Sequence, residues 1–237
     1  AASIEAKQGN HKEAWALVQR AQKMPEQRGR YFEAGDLLNT ALFVLSKNTN
    51  LQESLNALNS LVNSTEKSLK TQASPELLAN VLYQRSMVYE KLNQPAKAIA
   101  DLRRVVELYP DNPHGWNALG YTLLSNGKDL DEAFKMVQTA YQMDPESAAI
   151  NDSIGWAYYL KGDAQMALPY IQYAYEKEPE AEVAAHLGEV LWTLGDQEKA
   201  KEIWNDGLKR GNNLRVLKET MSKFGITSSK PHTQKHK

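Results

Sequence analysis

Self-similarity at one fixed offset is what most constrains this 237-residue chain. A repeat much shorter than a domain cannot bury its own apolar face, so it must stack on copies of itself. Small residues stand at Ser86, Gly120, Gly155 and Gly188, in steps of 34, 35 and 33. Alanines keep pace at Ala98, Ala133, Ala167 and Ala200, in steps of 35, 34 and 33, and prolines close the units at Pro110, Pro145 and Pro179. Three marker sets share one period. Between the markers, apolar residues follow helical spacing, as in Leu119, Leu123 and Leu124, or Ile154, Tyr158 and Leu160 on a slightly wider face. Each repeat therefore reads as a helical hairpin.

Close packing explains the residue types. The small residue lets the first helix of a unit approach the second, and the alanine lets the second approach its neighbour; larger side chains there would overpack the interface. Asp111-Asn112-Pro113 and Asp144-Pro145 are expected to cap helix starts, and Gly127 and Gly162 to end helices.

These markers resemble the signature of the tetratricopeptide-repeat (TPR) family, W-x2-L-G-x2-Y, then A-x3-F, then P. Trp116, Leu119, Gly120 and Leu123 fill the first part in one unit, Ile154, Gly155 and Tyr158 in the next, and Leu187, Gly188 and Leu191 in the third. The second part follows as Ala98 with Leu102, Ala133 with Val137, Ala167 with Ile171 and Ala200 with Trp204. The resemblance implies an all-α fold: a right-handed superhelical TPR solenoid of antiparallel helix pairs with a C-terminal capping helix.

Four TPR units are expected over residues 75–212, the first of them looser because Arg85 and Ser86 replace the usual Leu-Gly pair. Residues 1–74 read as degenerate TPR-like hairpins truncated at the N-terminus. Gly9, Ala14, Val18 and Ala21 look like the second half of a unit whose first helix would precede Ala1, so the chain is expected to be a piece of a longer protein. Leu38, Ala41, Leu42 and Leu45, then Leu51, Leu55, Leu58 and Val62, mark the two helices of an elongated hairpin. A capping helix is expected at 213–225. There Leu214, Leu217, Met221 and Phe224 form an apolar stripe, with Arg215, Lys218, Glu219 and Lys223 turned away from it. Residues 226–237 are polar and aperiodic and are expected to be a disordered tail.

In a TPR superhelix the first helix of each hairpin lines the concave surface. Carrying those inward positions across gives a candidate partner-binding groove of Tyr83 and Met87; His114, Asn117 and Tyr121; Asp152, Trp156 and Tyr159; and Glu189 with Trp192. Tyr and Trp offer large contact area at low entropic cost together with a polar edge, which suits peptide recognition. The competing reading is that the aromatics fill gaps between helices. For His114, Asn117 and Asp152 the competing reading is a solvated polar face. Some TPR proteins clamp a partner's terminal carboxylate with Lys, Arg and Asn on these faces; here the matching places carry Tyr83, Met87, Ala118, Ala149 and Ser153, which argues against such a clamp.

Other chemistry finds little support. With 28 basic and 29 acidic residues, no global field draws nucleic acid or an anionic membrane. The absence of cysteine removes disulfides, Cys-zinc sites and thiol nucleophiles. No stretch approaches the length of a spanning helix, so direct membrane insertion by this chain is not expected. His186 and Glu189 lie three apart on a helix without a third metal ligand, and Gly127-Lys128 lacks the upstream glycine of a phosphate-binding loop. Neither a catalytic residue, a metal nor a cofactor is expected.

Longer strings carry a narrower resemblance. Asn117-Ala-Leu-Gly-Tyr121, Asp152-Ser-Ile-Gly-Trp156, and His186-Leu-Gly-Glu-Val-Leu-Trp192 with Ile203-Trp204 are similar to the C-terminal repeats of a proteobacterial outer-membrane TPR lipoprotein family. One branch of that family serves as adaptor for a carboxy-terminal-processing protease. The resemblance implies a periplasmic adaptor, tethered to the outer membrane in a longer parent, whose partners are a periplasmic protease and its substrates. The alternative is a structural module that self-associates within a larger envelope complex.

Overall fold

A computed structural model describes residues 1–22, 34–69, 74–210 and 214–226. The segment expected to be a disordered tail lies outside these residues except for Ile226. The described residues form thirteen helices: α1 (Ala2–Lys7), α2 (His11–Gln22), α3 (Ala34–Lys47), α4 (Leu51–Leu69), α5 (Pro75–Lys91), α6 (Pro95–Leu108), α7 (Pro113–Ser125), α8 (Leu130–Met143), α9 (Ala148–Leu160), α10 (Ala164–Lys177), α11 (Ala181–Thr193), α12 (Gln197–Arg210) and α13 (Arg215–Lys223). The chain is all-α, built of consecutive packed helices in the manner of a TPR solenoid, and no strand occurs among the described residues. Two compact units divide it, Ala1–Thr122 and Leu123–Lys237, and the boundary falls inside α7.

In the first unit the short α1 packs on α2, α2 on α3, α4 on α5 and α5 on α6. A bidentate ion pair ties the unit together. The Arg85 guanidinium donates to both Asp101 carboxylate oxygens at 2.7 Å, with Asp101 almost fully buried, and to Asn59 Oδ1 at 3.0 Å. One side chain thereby joins α4, α5 and α6. It occupies the place where the other units carry an apolar residue, which is why this unit looks degenerate in sequence.

In the second unit α8 packs on α9, α9 on α10, α10 on α11 and α11 on both α12 and α13. The marker residues sit where the helices come closest. A Cβ on Gly155 would stand 2.5 Å from Ile171 Cγ1 and 3.0 Å from the Ala167 carbonyl; one on Gly188 would stand 2.0 Å from Trp204 Nε1. Ala133, Ala167 and Ala200 are fully buried. Between the helices an aromatic ladder fills space: Phe134 meets Tyr158 edge-on at 5.0 Å, Tyr158 stacks on Tyr170 at 5.6 Å, and Tyr141 meets Tyr170 at 5.4 Å.

Turn chemistry follows the repeat with two departures. Gly127 and Gly162 take positive φ of 58° and 89° after α7 and α9, and Asn93 fills the same role after α5 with φ of 55°. Asn112 caps α7 by accepting from the His114 amide, with Pro113 as the first helical residue. Asp144-Pro145 does not cap α9. Asp144 ends α8, and the cap is Ser147, whose hydroxyl accepts from the Ile150 amide. Pro145 and Glu146 form a turn between the end of α8 and this cap.

Candidate functional site

The candidate groove residues are set by helical spacing within each unit. In the first unit Tyr83 and Met87, four apart on α5, are half-buried and share a face with Glu90. Burial raises the pKa of the Tyr83 phenol and of the Glu90 carboxyl above their ordinary ranges. On α7, Asn117 and Tyr121 are half-buried and again four apart, while His114 stands exposed in the first turn. Among the described residues, Glu90 Oε1 and Asn117 Oδ1 are buried acceptors with no hydrogen-bond partner. An unmet buried acceptor is costly, so both groups favour a donor brought to them.

The second unit holds the denser constellation. His186 on α11 points its Nδ1 at both carboxylate oxygens of Asp152 on α9, each at 3.0 Å, and both side chains are buried. Burial opposes a charged imidazole, but the Asp152 charge and hydrogen bond, helped by Glu182 and Glu189, overcome it and leave the His186 pKa raised. The His186 ring stacks on Trp156 at 4.1 Å, and Trp156 stacks in turn on Tyr159 at 5.0 Å. Trp156 and Tyr159 stay half-buried, so this ordered stack keeps an open side.

Tyr159 links the stack to a carboxylate. Its hydroxyl donates to Glu189 Oε1 at 3.2 Å and lies 3.1 Å from Thr193 Oγ1, while Thr193 donates to the Glu189 carbonyl. Lys223 from α13 also donates to Glu189 Oε1. That bond raises the Lys223 pKa, against the effect of burial. Trp192 sits apart from this cluster. It stacks on Trp204 at 5.6 Å and leans on Phe224 at 5.4 Å, closing the seam between α11, α12 and α13.

Thus the second unit brings Asp152, Trp156, Tyr159 and Glu189 into one connected cluster and places Trp192 in a separate aromatic contact with Trp204 and Phe224. Asp152 is held in a buried ion pair instead of on a solvated face. Sequence reasoning passed over His186 and Lys223 as partners. A signal for both was available: Asp152 and His186, Tyr159 and Thr193, and Glu189 and Lys223 are each separated by 34 residues. One repeat length brings inner positions of successive first helices side by side. α13 accordingly stands where the first helix of another unit would stand, and Lys223 turns onto Glu189 instead of away to solvent.

Among the described residues no group of three His, Cys, Asp or Glu could hold a metal, and no helix is long and apolar enough to cross a membrane.

Residues 83–148 match the family described as tetratricopeptide repeat. A TPR repeat-containing protein of Pseudomonas aeruginosa is 44% identical over 110 residues, which cover 46% of this chain and 19% of that relative's length. The chain therefore spans about a fifth of the relative. Among solved structures, a tetratricopeptide repeat protein of Parabacteroides merdae superposes with a TM-score of 0.66 at 14% identity, covering 94% of this chain and 82% of its own. A chain of the APC/C hetero-tetramer Cut9-Hcn1 gives 0.67 at 15%, covering 95% and 42%. A TPR protein of Thermus thermophilus gives 0.55 at 16%, covering 91% and 100%. At these identities the structural likeness speaks to the fold.

Proposed function

Given tetratricopeptide repeats over residues 83–148 and a fold shared with solved TPR proteins, we propose that this chain is a non-catalytic scaffold holding another polypeptide against the inner faces of its first helices. TPR domains are interaction modules, which supports the general reading. The observation that carries the site is the His186–Trp156–Tyr159 stack: a rigid aromatic surface, ordered by a buried ion pair beneath it and still open on one side. Pre-ordered aromatics lose little side-chain entropy on binding. In the first unit Tyr83, Met87, His114, Asn117 and Tyr121 form the corresponding faces of α5 and α7.

The narrower proposal is an envelope adaptor that delivers substrates to, or activates, a periplasmic carboxy-terminal-processing protease, within a longer parent tethered to the outer membrane. It is supported by the repeat strings alone. Affinity capture from a native envelope extract, identified by mass spectrometry, tests it. A processing protease or its substrates should be retained by the wild type and lost with Tyr121→Ala and Trp156→Ala at unchanged helical content. Capture unaffected by both variants overturns the groove. If light scattering instead shows mass growing with concentration and no partner is retained, the self-assembly reading is favoured.

A further inference from the structure

Glu189 is a carboxylate with only 4% of its side chain exposed, and its cationic partner Lys223 is 62% exposed. A buried carboxylate needs a compensating charge, because desolvation penalises it heavily when it is left alone. A lysine that reaches it from solvent, over four rotatable bonds, loses side-chain entropy to stay there. The acceptor is fixed and the donor is replaceable.

The surroundings are those of an ammonium or guanidinium site. Glu189 Oε1 accepts from Tyr159 and Lys223, Thr193 Oγ1 lies 3.1 Å from that Tyr159 hydroxyl and donates to the Glu189 carbonyl, and the Lys223 ammonium also sits 5.5 Å over the Phe224 ring. Carboxylate, hydroxyl oxygens and a π face together recognise an organic cation. Register adds the second argument. Lys223 lies one repeat after Glu189, at the place a further first helix would occupy, so α13 supplies the charge that the groove position demands.

Resting on the groove reading above, we infer that Glu189, Tyr159 and Thr193 form a cation subsite for a lysine or arginine side chain of the bound segment, and that Lys223 occupies it in the free protein. The incoming residue takes over the hydrogen bond to Glu189 as Lys223 swings out to solvent. α13 itself stays packed, because its hold on α11 and α12 comes from Leu217 and Met221, both buried.

A random 12-residue peptide library displayed on phage and selected on the full chain tests this. Enriched peptides should share a lysine or arginine at one fixed position. Replacing that residue with norleucine should weaken binding about tenfold, the loss of one charge-assisted hydrogen bond. Lys223→Met should tighten the parent peptide severalfold, and Glu189→Gln or Tyr159→Phe should shrink the norleucine penalty. Lys223→Met removes an exposed side chain, so it serves even if Glu189→Gln proves poorly folded. Peptides that bind without a conserved cation, or a norleucine penalty unchanged by Lys223→Met and Tyr159→Phe alike, overturn the subsite and leave the groove standing. A library that yields no binder on wild type or Lys223→Met removes both.

Discussion

Gly188 lies so close to Trp204 that even one methyl group would collide with the indole, which is itself fully buried and donates to the Ala185 carbonyl at 3.3 Å. Gly188→Ala is therefore predicted to cost about 1–3 kcal/mol, the usual penalty for overpacking, read as a lower midpoint in urea. Gly127 has open space around its missing side chain, and there the cost of alanine is one of backbone conformation alone. The buried His186–Asp152 pair makes a second prediction at this scale. Asp152, Glu182 and Glu189 face the imidazole and raise its folded pKa above the ordinary 6.5. Stability from that shift is complete below the unfolded value and is lost as pH rises through the folded one. Thermal melts should show the wild type losing more stability than His186→Gln from pH 6.5 upward; parallel curves would mean the imidazole is neutral in the fold. Tyr175, pushed up to about 12 by burial and its hydrogen bond to Asp206, stays neutral throughout that range.

At the scale of the element, α13 is a cap that packs on α11 as the first helix of a further unit would. Leu217 and Met221 bury against α11 and α12, where Gly207 leaves room for Leu217, and Phe224 stacks on Trp204 at 5.5 Å. Leu217→Ala should cost about 2–5 kcal/mol and raise amide exchange in α11 and α12 while leaving α5 and α6 unaffected. Much of this element was legible in the sequence, because its apolar stripe is a local pattern of one helix. The orientation of Lys223 was not: it depends on which helix stands one repeat upstream, and reading α13 only as a cover hides that neighbour. The same distinction runs through the chain. Gly155, Gly188 and the buried alanines announced themselves because close approach admits few residue types. Asn93 in the left-handed region, and Ser147 in place of Asp144 as a cap, were missed because several residue types satisfy those turns. Arg85 looked like a defect in the repeat and is instead the centre of an ion-pair network whose partners lie 16 and 26 residues away.

For the molecule as a whole, the proposed function assigns the scaffold to the repeat and selectivity to the faces of the first helices. Each compact unit presents its own set, aromatic and half-buried in both, with unmet acceptors at Glu90 and Asn117 in the first and an ordered stack beside a buried carboxylate in the second. If these faces bind a polypeptide, the aromatic positions should behave as hot spots, and Trp156→Ala should weaken a captured partner by about thirtyfold or more. The proof that bears most directly on the account is where that partner touches the chain. A benzophenone photocrosslinker placed at His114, exposed at the start of α7, should join to the captured partner on irradiation, and the same group at Gln172, exposed on α10, should not. Crosslinking at Gln172 with none at His114 would contradict recognition by the inner faces.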